Sequence, residues 1–199
     1  MQTGRHFVHH SVAEEYIERL ANRANRLVCG NPWQNQVHLG PLINETQARR
    51  VEDIINRSIK MGARLIAGGT RNGNYFDATV IADVTPDMPV FSEEVFGPVA
   101  PVMSFDSDAR ACELVNVSPY GLAAAIHSGS TARALKIAEQ IEVGMIHIND
   151  QTVSNEFQVP FGGMGASGNS GRFGGPANID EFTTSQWVSV MEEGIHYPF

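Results

Sequence analysis

Cysteine is scarce in this sequence: Cys29 and Cys112 are the only two. Two thiols build no disulfide framework, which argues against a small secreted scaffold and points to the reducing cytoplasm. Apolar runs are short as well. None approaches the roughly 18–20 residues needed to cross a bilayer, so no membrane partner is expected. Residues 1–10 also lack the apolar core of a signal peptide. Basic residues are outnumbered, with 14 Lys and Arg against 22 Asp and Glu and a net charge of −8. A surface that holds phosphate backbones needs clustered cations, so no nucleic-acid partner is expected either. What remains is a globular composition, 42% hydrophobic and 18% charged, in a chain long enough for one well-buried domain.

Helix and strand signals alternate along it. Arg5 to His9 is a short strand candidate. Ser11 with Glu14 reads as a capping box, and Val12, Tyr16, Leu20, Ala24 and Leu27 follow at helical spacing, predicting a helix to about Val28. His9 and His10 have no carboxylate or thiol at ligand spacing, so no metal site is expected. Asn44 and Gln47 open a second helix with Val51, Ile54, Ile55 and Ile59 as its apolar stripe and Gly62 beyond its end. Short strands are predicted at Ala63 to Ala67 and Thr79 to Ile81, with a Gly/Asn turn over Gly68 to Asn74 between them. Further on come a strand from Val99 to Met103, a helix over Ala109 to Val115 and a strand over Leu122 to His127. A helix capped by Ser130, with Ala134, Leu135, Ala138 and Ile141 on one face, and a strand over Met145 to Ile148 complete the pattern. Such alternation predicts an α/β domain: a largely parallel sheet, right-handed crossovers and helices on both faces.

Beyond Ile148 the pattern stops. Asp150 to Pro176 is long, polar and glycine-rich, as functional or interface loops are. It contains a literal G-x-G-x-x-G, Gly163 to Gly168, but no strand precedes it and no helix follows, so it is not read as a dinucleotide fingerprint. Phe182 to Met191, rich in Thr, Val and Trp, reads as an isolated strand. A lone strand leaves its ladder groups unpaired, and pairing within this chain or with a second subunit would both satisfy them.

The stretch Glu93-Glu94-Val95-Phe96-Gly97-Pro98-Val99 places two adjacent carboxylates on the loop that leads into a buried strand, where a scaffold presents functional groups. A solvated acidic turn is the bland reading. With Gly40-Pro41-Leu42-Ile43, Gly68-Gly69, Thr79 to Val84, Tyr120-Gly121-Leu122-Ala123-Ala124, Asn149 and Pro160-Phe161-Gly162-Gly163, this stretch resembles the aldehyde dehydrogenase superfamily, in the family's order and across nearly the whole chain. The resemblance implies a catalytic-domain portion over residues 1–149, a substrate-tunnel and glycine-rich loop over 150–176, and a C-terminal β-arm for oligomerisation over 177–199. It implies NAD or NADP as cofactor, Glu94 as the residue that hydrogen-bonds the nicotinamide ribose, and Phe96 as the residue beside the nicotinamide. It also implies a homo-oligomer joined through the C-terminal strand.

Two departures refine the match. Gly165 stands where the family often has Lys, and Phe173 where Glu is common. With Asn149-Asp150-Gln151-Thr152 these variants look like the bacterial benzaldehyde, vanillin and salicylaldehyde dehydrogenases. Thr152, Val153, Phe157 and Phe161 are then the substrate-tunnel candidates, and an aromatic aldehyde would stack on Phe157 or Phe161. Phe161 also reads as an anchor for its own loop.

Family chemistry needs a Cys nucleophile in a G-Q-x-C block, supported by an oxyanion hole and a Glu that activates water. Neither Cys29 nor Cys112 sits in such a block, so no catalytic residue is assigned. The expectation is the C-terminal part of an aldehyde dehydrogenase, inactive alone. The alternative is a non-catalytic module that docks through its terminal strand onto a full-length relative.

Overall fold

The computed structural model describes residues 3–194 and 198. Strand β1 (His6–His9) runs straight into helix α1 (His10–Ala24), and α2 (Glu45–Lys60) follows after a long connection. Next come β2 (Arg64–Ala67), the small hairpin β3 (Arg71–Asn72) and β4 (Tyr75–Phe76), β5 (Thr79–Ala82), the single turn α3 (Pro89–Ser92) and β6 (Val99–Phe105). The remainder is α4 (Asp108–Asn116), β7 (Tyr120–Gly121), β8 (Ala123–Ile126), α5 (Thr131–Ala138), β9 (Met145–Ile148), β10 (Met164–Gly165) and α6 (Ala177–Phe182).

The main sheet has the order β1-β6-β5-β2. β6 pairs in parallel with both β1 and β5, and only the edge strand β2 is antiparallel. This is the largely parallel α/β sheet that the alternation predicts. Because strand side chains alternate between faces, β5 and β6 feed two cores at once. Val80, Ala82 and Val102 turn to one side, where α1 offers Ala13, Ile17 and Ala21 at helical spacing. Ile81, Val99 and Met103 turn to the other, where Val51, Ile54 and Ile55 of α2 meet Phe76 and Phe91. The sheet is covered on both faces. No described helix is long and apolar enough to cross a membrane.

Several boundaries differ from the sequence reading. The cap of α1 is His9, not Ser11: its Nδ1 accepts from the Ser11 amide at 3.3 Å, because β1 passes into the helix without a linker. The same helix stops at Ala24 rather than Val28. Val28 instead takes its hydrogen bonds from the returning chain, donating to His38 Nδ1 and accepting from the His38 amide. The Gly68 to Asn74 turn holds the first strand of the β3–β4 hairpin, and α5 ends at Ala138, short of Ile141. Asn44 caps α2 as expected, its Oδ1 accepting from Gln47 N at 2.8 Å. Within the G-x-G-x-x-G segment, a Cβ at Gly163 would strike Ser167 and one at Gly168 would strike Gly163. Its glycines therefore let the loop fold on itself. Phe182 closes α6, and residues 183–191 pair with no strand among the described residues. The isolated strand is thus not formed among the described residues. High strand propensity shapes a segment, but a ladder needs a second strand.

Candidate active-site loop

Residues 93–98 link α3 to β6, and helix α2 holds them from one side. Gln47 Nε2 donates to the carbonyls of Val95 (2.9 Å) and Phe96 (3.1 Å). One turn further along, Arg50 donates from Nη2 to Glu94 O at 2.8 Å and from Nη1 to Val95 O at 3.3 Å. Two turns beyond that, Arg57 Nη2 meets Glu93 Oε1 at 2.8 Å, and Glu93 Oε2 lies 3.5 Å from Arg50 Nη2. Hydrogen bonding, chiefly to Glu93, raises the pKa of Arg57. Upstream of the loop, buried Ser58 Oγ donates to Ile54 O at 2.8 Å and accepts from Val90 N at 3.0 Å, which fastens α3 to α2. Two side chains of one helix face, Gln47 and Arg50, therefore hold the main chain of this loop, and a third, Arg57, holds the Glu93 carboxylate.

With its backbone gripped from below, the loop sorts its side chains. Val95 and Gly97 are buried; Glu94 and Phe96 are exposed, Phe96 at 74%. Gly97 must be small, because a Cβ there would stand 2.7 Å from Val51 Cγ2. Phe96 holds φ at +47°, a left-handed conformation that costs about 1–3 kcal/mol for a residue with a side chain. Such strain persists where surroundings over-determine it, and here the carbonyl bonds from Gln47 and Arg50 do so. Glu94 takes part in no ion pair or side-chain hydrogen bond among the described residues. The result is a carboxylate and an aromatic ring, two residues apart, displayed on a rigid turn.

Arg5 connects this loop to the rest of the site. Its Nε donates to Phe91 O at 2.9 Å, and its guanidinium lies 5.0 Å from the centre of the Phe91 ring. Burial lowers its pKa, while the Glu94 carboxylate and, once ionised at high pH, the Tyr120 phenol push it back up. Tyr120 belongs to β7, which pairs with β10 of the glycine-rich loop. Thr152 is also brought close, its Oγ1 3.3 Å from Thr3 Oγ1. Residues 3–5 thus run between the Glu94 loop and the Thr152 segment. The other tunnel candidates are placed differently. Val153 is 36% exposed and Phe157 91%, whereas half-buried Phe161 pairs with Phe173 through two main-chain bonds and rings 5.1 Å apart. Phe161 therefore anchors its own loop in this structure. Of the two free cysteines, Cys112 is buried on α4, which raises its thiol pKa, and Cys29 is half-buried where the main chain forms a parallel β-bridge with Leu39.

The sequence reading gave Gln47 only a place in the helix start and Arg5 only a place in a strand, and it gave Arg50 and Arg57 no role. A signal for three of them exists: positions 47, 50 and 57 fall within one narrow arc of a 3.6-residue helix, flanking the apolar stripe.

The scaffold is an α/β sheet covered on both faces, with a carboxylate and a strained aromatic displayed on the loop before a parallel strand. The chain belongs to the aldehyde dehydrogenase family, whose model matches residues 1–188. It is 56% identical over 199 residues to a benzaldehyde dehydrogenase [NAD(+)] of Pseudomonas putida, a match that covers all of this chain and 41% of that protein. It is 45% identical over 200 residues to a vanillin dehydrogenase of Amycolatopsis, again 41% of the relative. The crystal structure of a salicylaldehyde dehydrogenase from Pseudomonas putida G7, complexed with salicylaldehyde, superposes with a TM-score of 0.91 at 35% identity, covering 98% of this chain and 40% of that one. The chain thus spans about two fifths of the length of these relatives.

Proposed function

We propose that these residues form the nicotinamide-side wall and part of the substrate tunnel of an NAD(P)-dependent aldehyde dehydrogenase that oxidises an aromatic aldehyde to its carboxylic acid. The observation that carries this reading is the joint display of Glu94 and Phe96. An exposed carboxylate accepts two hydrogen bonds from a vicinal diol such as a ribose, and an exposed ring two residues on covers one face of a flat heterocycle. The two residues fit a nicotinamide riboside. The cofactor, when bound, supplies a hydride acceptor; Glu94 orients its ribose and Phe96 limits where its ring can lie. Thr152, Val153, Phe157 and Phe161 line the aldehyde's path in this reading, supported by the place of Thr152 beside residues 3–5 and by the names of the relatives. Neither Cys29 nor Cys112 lies at the loop, so this stretch contributes no nucleophile and by itself oxidises no aldehyde.

A chimera tests this. These 199 residues replace the matching segment of the Pseudomonas putida benzaldehyde dehydrogenase, and benzaldehyde oxidation is followed with NAD. The chimera is expected to be active. Glu94→Gln lowers kcat by roughly 10- to 100-fold, the worth of a charged hydrogen bond of about 1.5–3 kcal/mol, and leaves thiol alkylation unchanged. Unaltered turnover in that variant would remove the ribose role.

A second subunit fits the tail. Residues 183–191 carry Trp187, Val188 and Val190 at 92%, 69% and 82% exposure, with no ladder among the described residues. The reading is that this segment adds to a sheet of a second copy. Light scattering that finds monomers only, at every concentration, would oppose it.

A further inference from the structure

Two adjacent glutamates need not share a task, and here their surroundings divide them. Glu94 is exposed and makes no ion pair or side-chain hydrogen bond among the described residues, although its charge acts on Arg5. Glu93 lies between two guanidinium groups, with Arg57 at 2.8 Å and Arg50 at 3.5 Å. Arg50 is at the same time the donor that grips Glu94 O and Val95 O. A guanidinium on a flexible stem seeks the best carboxylate within reach, and a carboxylate on the neighbouring residue is such a partner. We infer that Glu93 is a positioning residue: its carboxylate anchors Arg50 and Arg57 side by side, so that Arg50 holds the loop by its carbonyls and does not capture the Glu94 carboxylate.

The geometry supports the assignment in three ways. Arg57 is itself pinned by Asp53 at 2.8 Å, one turn earlier on the same helix, so Glu93 is held against a fixed post. Arg50 Nη2 is shared between the Glu93 carboxylate and the Glu94 carbonyl, which ties the placement of the first carboxylate to the path of the main chain that carries the second. The strained φ of Phe96 lies directly downstream, and Val95 O, gripped by both Gln47 and Arg50, is the last carbonyl but one before it relaxes into Gly97. Glu93 thus acts on the ligand only through Arg50 and through the loop. The consequence for Glu94 rests on its proposed ribose role; the consequence for the loop does not.

The test uses the 199-residue chain and nuclear relaxation. In Glu93→Gln, the backbone order parameters of residues 94–97 should fall from rigid values near ~0.85 toward ~0.6. The Arg50 Nε resonance should shift as its guanidinium moves to Glu94, with the thermal midpoint changing by no more than about 3 °C. Glu93→Asp, which keeps the carboxylate, should restore part of the order. A loop that stays ordered, with Arg50 unshifted in Glu93→Gln, overturns the inference, as does equal disorder in a variant such as Arg19→Gln, whose ion pair with Glu15 lies on α1. In the chimera, Glu93→Gln should lower kcat about three- to tenfold, and Glu93→Gln with Glu94→Gln no further than Glu94→Gln alone. If the loop loosens in Glu93→Gln while Glu94→Gln leaves turnover untouched, positioning stands and the ribose reading falls.

Discussion

Strands β5, β8 and β9 are each four residues long and mostly apolar, yet they meet different surroundings. All four residues of β5 are buried, while every residue of β8 and β9 is only half-buried. β5 lies between two neighbours in a four-stranded sheet with a helix on each face; β8 and β9 form a two-stranded parallel pair. Burial is therefore set by what a strand is packed against, not by its own letters. The difference bears on the site. The Glu93 to Pro98 loop springs from the closely packed half, whereas Thr152, Val153 and Phe157 follow β9 in the open half. The proposed cofactor wall is rigid by construction, and the proposed substrate wall takes its shape from a loop.

The comparison breaks most readily in the core. Ile54→Ala removes a fully buried side chain of α2 and should cost about 2–5 kcal/mol in urea unfolding, against less than about 2 kcal/mol for Ile146→Ala on β9. Equal losses would show that the two halves are packed alike. Ser58→Ala comes next. It leaves the buried Val90 amide without its acceptor, which should cost about 1–3 kcal/mol. Because Val90 lies in α3, amide resonances over residues 90–97 should shift while those of β8 and β9 stay in place.

What the sequence revealed was mostly local. Asn44 declares itself as a cap because its partner Gln47 is three residues away, and β5 and β6 read as buried strands because their neighbours are apolar. Contacts between distant segments left weaker marks. The partners of Glu93 sit 36 and 43 residues earlier in the chain, on a face of α2 whose arginines look like ordinary solvated charges. The strain at Phe96 was hidden by Gly97, the residue to which a left-handed φ would naturally be assigned; that glycine is needed instead for its closeness to Val51. Phe161 had two readings, and the pairing with Phe173 that supports the anchor left no mark in the sequence. Capping at His9 was obscured because Ser11 offers the commoner signal. The proposed roles of Glu94 and Phe96 come from family resemblance, and the structure adds that both are exposed.

Between neutral pH and about pH 5, acid should act on the packed half first through His6. His6 on β1 is enclosed, its Nδ1 2.7 Å from Tyr16 Oη, and burial lowers its pKa from the ordinary 6.5. The unfolded chain therefore binds this proton first as pH drops below 6.5, and stability declines from there until the pH passes the lowered native value, by at most about 1.4 kcal/mol per pH unit. Above 6.5 the contribution is fully present. His6→Gln should flatten that slope in thermal melts between pH 7 and about pH 5. An unchanged slope would mean that the proton is taken up elsewhere.

The smallest effect is expected at the most exposed aromatic of the tail. A core Trp cut back to Ala costs about 3–5 kcal/mol, but Trp187 is 92% exposed, so Trp187→Ala in the dilute chain should change stability by no more than about 0.5 kcal/mol. The proposed strand addition gives that near-zero value a second use. If residues 183–191 pair with another copy, the parent's melting midpoint rises with protein concentration, because association stabilises the folded state by mass action. Trp187→Ala should then abolish the concentration dependence while leaving the dilute midpoint where it was. Melting curves of both chains at two concentrations a decade apart separate the cases. A large loss in the dilute variant would place Trp187 in a packed interior and erase the contrast between the two halves.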